Sequence, residues 1–332
     1  KIDTALAKAI YGDSDHKYSI TVEVRDASRR TITAAGSVIA AQEPFKVYAW
    51  VDRGFYTVGQ RIEAHFQARQ LDDTPVVGSG TVELLKIKYD ESMHPEEQVV
   101  ARFDAQTNAE GEFKQTMQAE HAGQYRVRLR LNDNAGHEIE GGYIFTVRGD
   151  DNDDVHDYRY NALELTPDQQ QYAPGETVKL QIAADHAGAR VAVFVRPDQA
   201  GYQHPRWITL DGKSSVIEIP IMEADQPNFF VEAFTVYGGK CHQQVRQIVV
   251  PPAERVLNVA VAMDKEEYLP GEECVVDVKV TDPAGKPVVG SCVIAAYDRS
   301  LEALAGDVLP SDIREFFWKW QRNHRPVRST NL

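Results

Sequence analysis

The chain has 332 residues and a formal net charge of −14, from 36 lysine and arginine residues against 50 aspartate and glutamate residues. At about 100 to 150 residues per domain, this length suggests roughly two or three domains. So acidic a surface repels phosphate groups, and we therefore expect no nucleic-acid partner. The longest apolar run, from Cys292 to Tyr297, is far shorter than the ~20 residues that span a bilayer, so we expect no membrane insertion in this segment.

The first predicted element is a β-hairpin. Tyr18 to Ala40 aligns without gaps on Tyr125 to Val147, and both stretches alternate apolar and polar residues around a polar turn. Residues 1–43 are therefore predicted to be the closing half of a β domain. Because residue 1 is a lysine and the first ten residues lack the apolar core of a signal peptide, we expect a processed or excised fragment.

Three turns with one shared pattern follow along the chain. Segments that begin at Asp52, Asp168 and Asp264 all fit D-x-x-x-Y-x-(P/V)-G-(E/Q), and such self-similarity indicates a repeated domain. In the second and third copies, proline followed by glycine suits the two central positions of a type II turn, whereas the first copy has Val58 in place of proline. The predicted structural turn residues are Tyr56, Gly59, Tyr172, Pro174, Gly175, Tyr268, Pro270 and Gly271.

A two-residue alternation after each turn predicts a strand with one buried face. Together with the repeat, it predicts complete β-sandwiches at residues 44–150 and 158–253, and the opening half of a further domain at 256–332. The fold class is all-β, with tandem immunoglobulin-like or fibronectin-like antiparallel sandwiches. The predicted buried positions are Ile62, Ala64, Phe66 and Ala68, then Val178, Leu180, Ile182 and Ala184, then Cys274, Val276, Val278 and Val280.

The three cysteines are too few for a disulfide-rich scaffold. Cys274 and Cys292 fall on predicted buried positions of one domain, and Cys241 falls in the preceding one. We expect Cys274 and Cys292 to be free, buried thiols, because facing sheets of a sandwich lie about 10 Å apart. Any disulfide that did form would join these two.

The C-terminal region departs from the β pattern. Asp312 to Glu315 has capping-box spacing, and the apolar residues from Ile313 to Trp320 share one face of a short helix, which either packs on its own domain or contacts a partner. Residues 321–332 are polar without alternation, so we expect a loosely packed tail that proteases can cut. The arginines that would suit trypsin-like enzymes are Arg322, Arg325 and Arg328.

The residues of a catalytic or cofactor site are missing from the sequence. There is no phosphate-binding glycine loop, nucleophile elbow or histidine pair at metal spacing, so we expect neither an enzyme nor a cofactor. Two weaker patterns remain open. The acidic run that contains Asp150, Asp151, Asp153 and Asp154 is either a Ca²⁺ site or a solvated linker. Cys241 and Gln244 have thioester residue types, but they precede a strand that favours an ordinary thiol.

The order of these motifs resembles a known family. The entry turn, the Pro-Val-Val-Gly loops that begin at Pro75 and Pro287, and the stretch from Val293 to Leu301 are similar to macroglobulin domains of alpha-2-macroglobulins, particularly the bacterial ones. Tyr297 and Glu302 depart from the family pattern.

This resemblance implies a broad-spectrum protease trap. A protease cuts an exposed bait region, the stacked macroglobulin domains rearrange, and the protease is enclosed; in many members a C-x-E-Q thioester also attaches to it. No C-x-E-Q is present in this chain. The implied partners are proteases, through the full-length protein, and neighbouring macroglobulin domains, in a periplasmic, cell-surface or secreted location. The alternatives are a tandem immunoglobulin-like cell-surface spacer or adhesin array, and a calcium- or carbohydrate-binding module.

Overall fold

The computed structural model describes residues 5, 9–10, 15–25, 29–92, 94–149, 158–197, 204–252, 256–265, 268, 271–294 and 321–325. These residues contain nineteen strands, and their sheets are almost entirely antiparallel. The all-β prediction is therefore confirmed. No helix in the described ranges is long and apolar enough to cross a membrane.

The chain divides into two compact units. The first comprises Lys1–Asp168, Ala183–Ala189 and Leu210–Ser215, and the second comprises Gln169–Ile182, Arg190–Thr209 and Val216–Leu332. The domain limits given above remain a prediction.

The first unit begins with the predicted hairpin, formed by strands β1 (His16–Arg25) and β2 (Thr31–Ala40). Tyr18 lies opposite Val38, and the residues 107 positions further on, Tyr125 and Phe145, also lie opposite each other in a hairpin. The alignment between the two hairpins therefore preserves the strand register. The apolar residues of β1 and β2 remain exposed, because a two-stranded ribbon has no second sheet to bury one face.

A complete sandwich follows in the same unit. The apolar faces of its two sheets pack together with side chains that include Tyr56, Phe66, Leu84 and Leu129 in the core. One sheet has the order β3 (Lys46–Val51), β5 (Arg61–Arg69), β8 (Glu112–Gln118). The other has the order β4 (Phe55–Thr57), β10 (Glu138–Arg148), β9 (Gly123–Asp133), β6 (Gly78–Tyr89), β7 (Pro95–Gln106).

The predicted alternation in the first copy is confirmed. Ile62, Ala64, Phe66 and Ala68 are all at most 1% exposed, and they lie on the core face of β5. Only the parallel pairing of β4 with β10 departs from the antiparallel arrangement in this sandwich. The first unit also contains the short strand β11 (Glu164–Pro167).

Most residues of the next set of strands lie in the second unit, whereas Ala183–Ala189 and Leu210–Ser215 belong to the first. Val178, Leu180, Ile182 and Ala184 are fully buried, as the second alternation predicts. Strand β12 (Thr177–Ala183) neighbours β15 (Ser214–Pro220), and a short 3-10 turn (Glu223–Asp225) follows β15. A four-stranded sheet has the order β14 (Arg206–Thr209), β13 (Arg190–Val195), β16 (Asn228–Tyr237), β17 (Lys240–Val249).

The third copy differs from the prediction in its burial. Strands β18 (Asn258–Met263) and β19 (Val276–Thr281) form a two-stranded ribbon, and within the described ranges they pair only with each other. Cys274 and Cys292 are exposed, so the prediction that these thiols are buried is wrong. Residues Val276 to Val280 do form part of a strand with the predicted period of two. Without a second sheet in the described part, however, Val276 and its neighbours are not buried. All three cysteines are free, as expected.

Candidate functional site

The repeated turn is built around a tyrosine hydroxyl. Tyr56 donates to Asp52 Oδ1 at 2.6 Å and accepts the main-chain N–H of Arg53, while the same carboxylate oxygen accepts the N–H of Glu63 at 2.9 Å. The third copy repeats this arrangement, with Tyr268 donating to Asp264 and the N–H of Val275 bound to the same oxygen. Burial, followed by the bond to Asp52, raises the pKa of Tyr56, so its hydroxyl remains a proton donor.

The glycine and the last residue of the pattern complete each turn. Gly59, Gly175 and Gly271 have φ of 75°, 91° and 87°, values that favour glycine. In the second copy, Pro174 stands before Gly175, the Tyr172 hydroxyl accepts the N–H of Gln169, and the Glu176 carboxylate accepts the N–H of Ala173. Pro270 lies outside the described residues. We propose that the turn residues are structural, since their polar groups bind the local main chain.

The structure excludes the thioester interpretation of Cys241 and Gln244. Both residues lie on β17, where Cys241 is opposite Val236 and Gln244 is opposite Ala233. Residues three apart on a strand point to opposite faces of the sheet, so the two side chains cannot join. Cys241 is instead a partly exposed free thiol.

The structure gives no support to a metal site among the residues it describes. In those ranges no group of three or more His, Cys, Asp or Glu side chains is placed to hold an ion. The acidic run Asp150, Asp151, Asp153 and Asp154 lies outside the described residues, as does the predicted helix before Gln321.

A further polar arrangement involves residues 321–325, here called the anchored segment. It lies on one face of β16 and β17, here called the anchor face, which carries Asn228, Phe230, Glu232 and Gln247. The intervening residues of β16, such as Phe229 and Val231, belong to the opposite, buried face. The expectation of a loosely packed tail is therefore wrong for Arg322 and His324, which contact the anchor face, although Arg322 is still exposed.

Arg322 makes the largest number of contacts in the anchored segment. Its main-chain N–H donates to Asn228 Oδ1 at 2.8 Å, and the Asn228 amide donates back to the Arg322 carbonyl at 3.0 Å. Its guanidinium donates to the main-chain carbonyls of Asp225 at 2.9 Å, Asn228 at 2.5 Å and Ala224 at 2.9 Å. One residue is thus bound through both its backbone and its side chain.

His324 makes the second anchor. Its Nε2 lies 2.7 Å from Glu232 Oε2, with the two side chains only 10% and 5% exposed. The imidazole also lies 5.6 Å from the Phe230 ring, centroid to centroid. Gln243 donates to the other Glu232 oxygen, and Gln247 donates to the Gln321 side chain at 3.0 Å. The Glu232 carboxylate is therefore bound on both oxygens.

A partly buried ion pair holds the turn whose carbonyls bind Arg322. Arg196 donates to both oxygens of Asp225, at 2.6 and 2.7 Å, and to the carbonyl of Pro220. Burial alone would raise the pKa of the Asp225 carboxyl, but the bonds from Arg196 and the Met222 N–H, together with the charges of Arg196 and Arg322, lower it. Asp225 therefore stays ionised and holds the turn before β16 in place.

Arg196 itself adopts an uncommon backbone conformation for this role. Its φ is 55°, in the left-handed region that residues with a side chain rarely occupy. Its guanidinium lies 4.6 Å from the centre of the Phe229 ring, and its N–H donates to the Phe230 carbonyl. Strained residues of this kind are typical of ligand clamps.

The sequence alone contained little to reveal this site. Asn228, Phe230 and Glu232 follow the strand period, but they read as the solvent-facing side of β16. One signal for this contact is present in the sequence. Arg322 and His324, two residues apart, carry hydrogen-bond donors, and Asn228, Phe230 and Glu232 place polar and aromatic groups at the same two-residue spacing. Pairing these two segments requires a contact across about 90 residues, which periodicity does not predict.

Residues 163–304 match a family model described as the alpha-2-macroglobulin bait region domain. An alpha-2-macroglobulin homolog of Deinococcus radiodurans is 26% identical over 215 residues, which are 63% of this chain and 20% of that protein. The chain is thus similar to alpha-2-macroglobulins. An alpha-2-macroglobulin of Ralstonia nicotianae is 23% identical over 342 aligned residues, covering 95% of this chain and 19% of its own length.

A solved structure of an alpha-2-macroglobulin is also similar. The native conformation of Escherichia coli alpha-2-macroglobulin is 13% identical, with a TM-score of 0.33, over 83% of this chain and 20% of that chain. The chain therefore spans about a fifth of the length of the alpha-2-macroglobulins that it matches.

Proposed function

We propose that this chain supplies structural β domains, and the downstream anchor of a protease-sensitive segment, to an alpha-2-macroglobulin-type inhibitor that encloses proteases. The observation that carries the proposal is the anchored segment. Strand β19 lies before residues 295–320, and Arg322 and His324 bind the anchor face directly after them. A bait must be fixed at its ends while a protease grips what lies between, and the anchored segment supplies the attachment at the downstream end.

The family match supports the same assignment. The bait region domain model covers residues up to 304, so it reaches into the interval between β19 and the anchored segment. We place the inhibitor in the periplasm, at the cell surface or outside the cell, with neighbouring macroglobulin domains as its structural partners. Its protease partners would be engaged through the complete inhibitor, and the chain itself would carry no enzymatic activity.

A comparison of two substrates tests this proposal. A longer protein that contains this chain and the remaining macroglobulin domains is mixed with trypsin at equimolar concentration. We expect hydrolysis of a large protein substrate to fall while hydrolysis of a small peptide substrate continues, because enclosure blocks large molecules sterically and leaves the active site intact.

The isolated chain is the matched control. We expect it to leave both activities unchanged, since enclosing a protease requires the remaining domains. Inhibition of the small peptide substrate, or equal inhibition by the isolated chain, would contradict the proposal. Unchanged hydrolysis of both substrates by the longer protein would favour the spacer or adhesin alternative.

A further inference from the structure

We propose that the anchor face is a peptide-binding site for an Arg-x-His segment, and that residues 321–325 are its exchangeable intramolecular ligand. The partner is thus this chain's own segment, recognised through its backbone, a guanidinium and an imidazole. The evidence for the binding site is the set of contacts alone. Release of residues 321–325 from it after bait cleavage rests on the proposed function.

The contacts at Arg322 involve both its main chain and its side chain. The Asn228 amide accepts from the N–H and donates to the carbonyl of the same residue, so one side chain binds both main-chain groups of Arg322. The three main-chain carbonyls of residues 224, 225 and 228 surround the guanidinium. A lysine has a single ammonium in place of this planar fork, so it would not reproduce these bonds.

The contacts at His324 add a second requirement two residues away. The Glu232 carboxylate is only 5% exposed and binds the imidazole at 2.7 Å. Arg322 and Asn323 are both exposed, and of these two neighbours it is Arg322 that is hydrogen-bonded to the anchor face. The spacing Arg-x-His is therefore set by the separation of Asn228 and Glu232 along β16, and the middle residue carries no recognition.

The covalent connection explains why a short segment stays bound. Five residues make few contacts, and binding of a separate peptide must overcome the loss of translational and rotational freedom. A tether supplies an effective concentration that can reach the millimolar range, which removes most of this cost. A cut between residues 295 and 320 changes that connection, so the anchored segment becomes exchangeable and the anchor face becomes open to it in trans.

The first experiment adds the ligand to a vacant site. The full chain with Arg322→Ala and His324→Ala keeps its anchor face but loses the guanidinium and imidazole contacts of its own segment, so that only main-chain contacts of residue 322 and the Gln321 side chain still compete for the site. A fluorescent peptide of residues 321–332 is titrated into this variant and into the wild-type chain, and binding is followed by anisotropy. We expect affinity for the variant to be at least about tenfold higher, because the wild-type site is already occupied.

Three altered peptides test the recognition itself. We expect peptides with Arg322→Lys or His324→Ala to bind the vacant chain at least about tenfold more weakly, and the matched control with Asn323→Ala to bind within about twofold of wild type. Equal binding to the occupied and vacant chains, or equal binding of the Arg322→Lys peptide, would overturn the proposal. Circular dichroism of the variant verifies that its sheets are intact.

A second measurement needs no variant. Limited trypsin digestion of the wild-type chain offers Arg314, Lys319 and Arg322 in sequence. We expect the bond after Arg322 to be cut at least about tenfold later than those after the other two, because its guanidinium is bound to carbonyls and must detach to enter the protease. First cuts after Arg322 would contradict the anchor.

These results are separable from the test of inhibition. Peptide binding without protease inhibition would support the peptide-binding site and reject the proposed function. Inhibition by the longer protein without peptide binding would reject the exchangeable ligand alone.

Discussion

Replacement of Tyr56 by phenylalanine removes one hydroxyl from a fully buried ring. The hydroxyl donates to Asp52 at 2.6 Å and accepts the Arg53 N–H at 3.2 Å. A hydrogen bond to a charged group contributes about 1.5 to 3 kcal/mol. The Asp52 side chain is 37% exposed, so water replaces part of the lost bond, and we expect the free energy of unfolding of the first unit to fall by about 1 to 2 kcal/mol.

Hydrogen exchange in increasing urea measures this change in the first unit alone. Peptides from β5 and β9 report its unfolding, because both strands contribute to the same core as Tyr56. With a slope of about 1 to 3 kcal/mol per molar urea, a loss of about 1.5 kcal/mol lowers the unfolding midpoint by about 0.5 to 1.5 M. The ring is retained, so the core gains no cavity.

Tyr268→Phe is the matched control from the third copy. Its hydroxyl makes the same bond to Asp264, but the β18–β19 ribbon leaves this turn accessible to water. We expect no measurable change in the exchange of β5 and β9, and only a small change within β18 and β19. If Tyr56→Phe lowers the midpoint by less than about 0.2 M, burial does not strengthen the Asp–Tyr bond and the reasoning fails.

Three further predictions concern packing, pH and thiol reactivity. Gly80→Ala should lower the urea midpoint of the first unit, because an added Cβ would lie 1.8 Å from a carbonyl oxygen of β9. In the control Gly36→Ala the added Cβ meets nothing within 4 Å, so the urea midpoint should not fall. Equal effects of the two variants would contradict this prediction. Bonds from neighbouring arginines on β9 and β7 lower the pKa of Glu83 despite its burial, so its stabilising contribution is complete above about pH 4.3 and is lost as the pH falls through the lowered folded-state pKa. A Glu83→Gln variant should lose this part of the acid sensitivity, and an unchanged pH profile would refute its assignment. Iodoacetamide should alkylate exposed Cys274 faster than partly exposed Cys241 in the native chain, and peptide mapping that found the reverse order would contradict the exposure of the third copy.

The sequence by itself determined the local structure of this protein. A period of two requires that Ile62, Ala64 and Phe66 share one face of a strand, and the positive φ at Gly59 follows from a turn that favours glycine. The hairpin register was also readable, because each residue of a strand has a fixed partner once the turn length is set. These features depend on neighbours a few residues away.

Only the tertiary structure decided which faces are covered. The same alternation that buries Val178 leaves Val276 exposed, because burial depends on a second sheet, and within the described ranges the β18–β19 ribbon has no further strand paired to it. In the same way, Asn228 and Glu232 read as solvent-facing until Arg322 and His324 return to cover them. Contacts between residues distant in sequence require chain geometry, and that geometry brings Arg322 and His324 onto the anchor face.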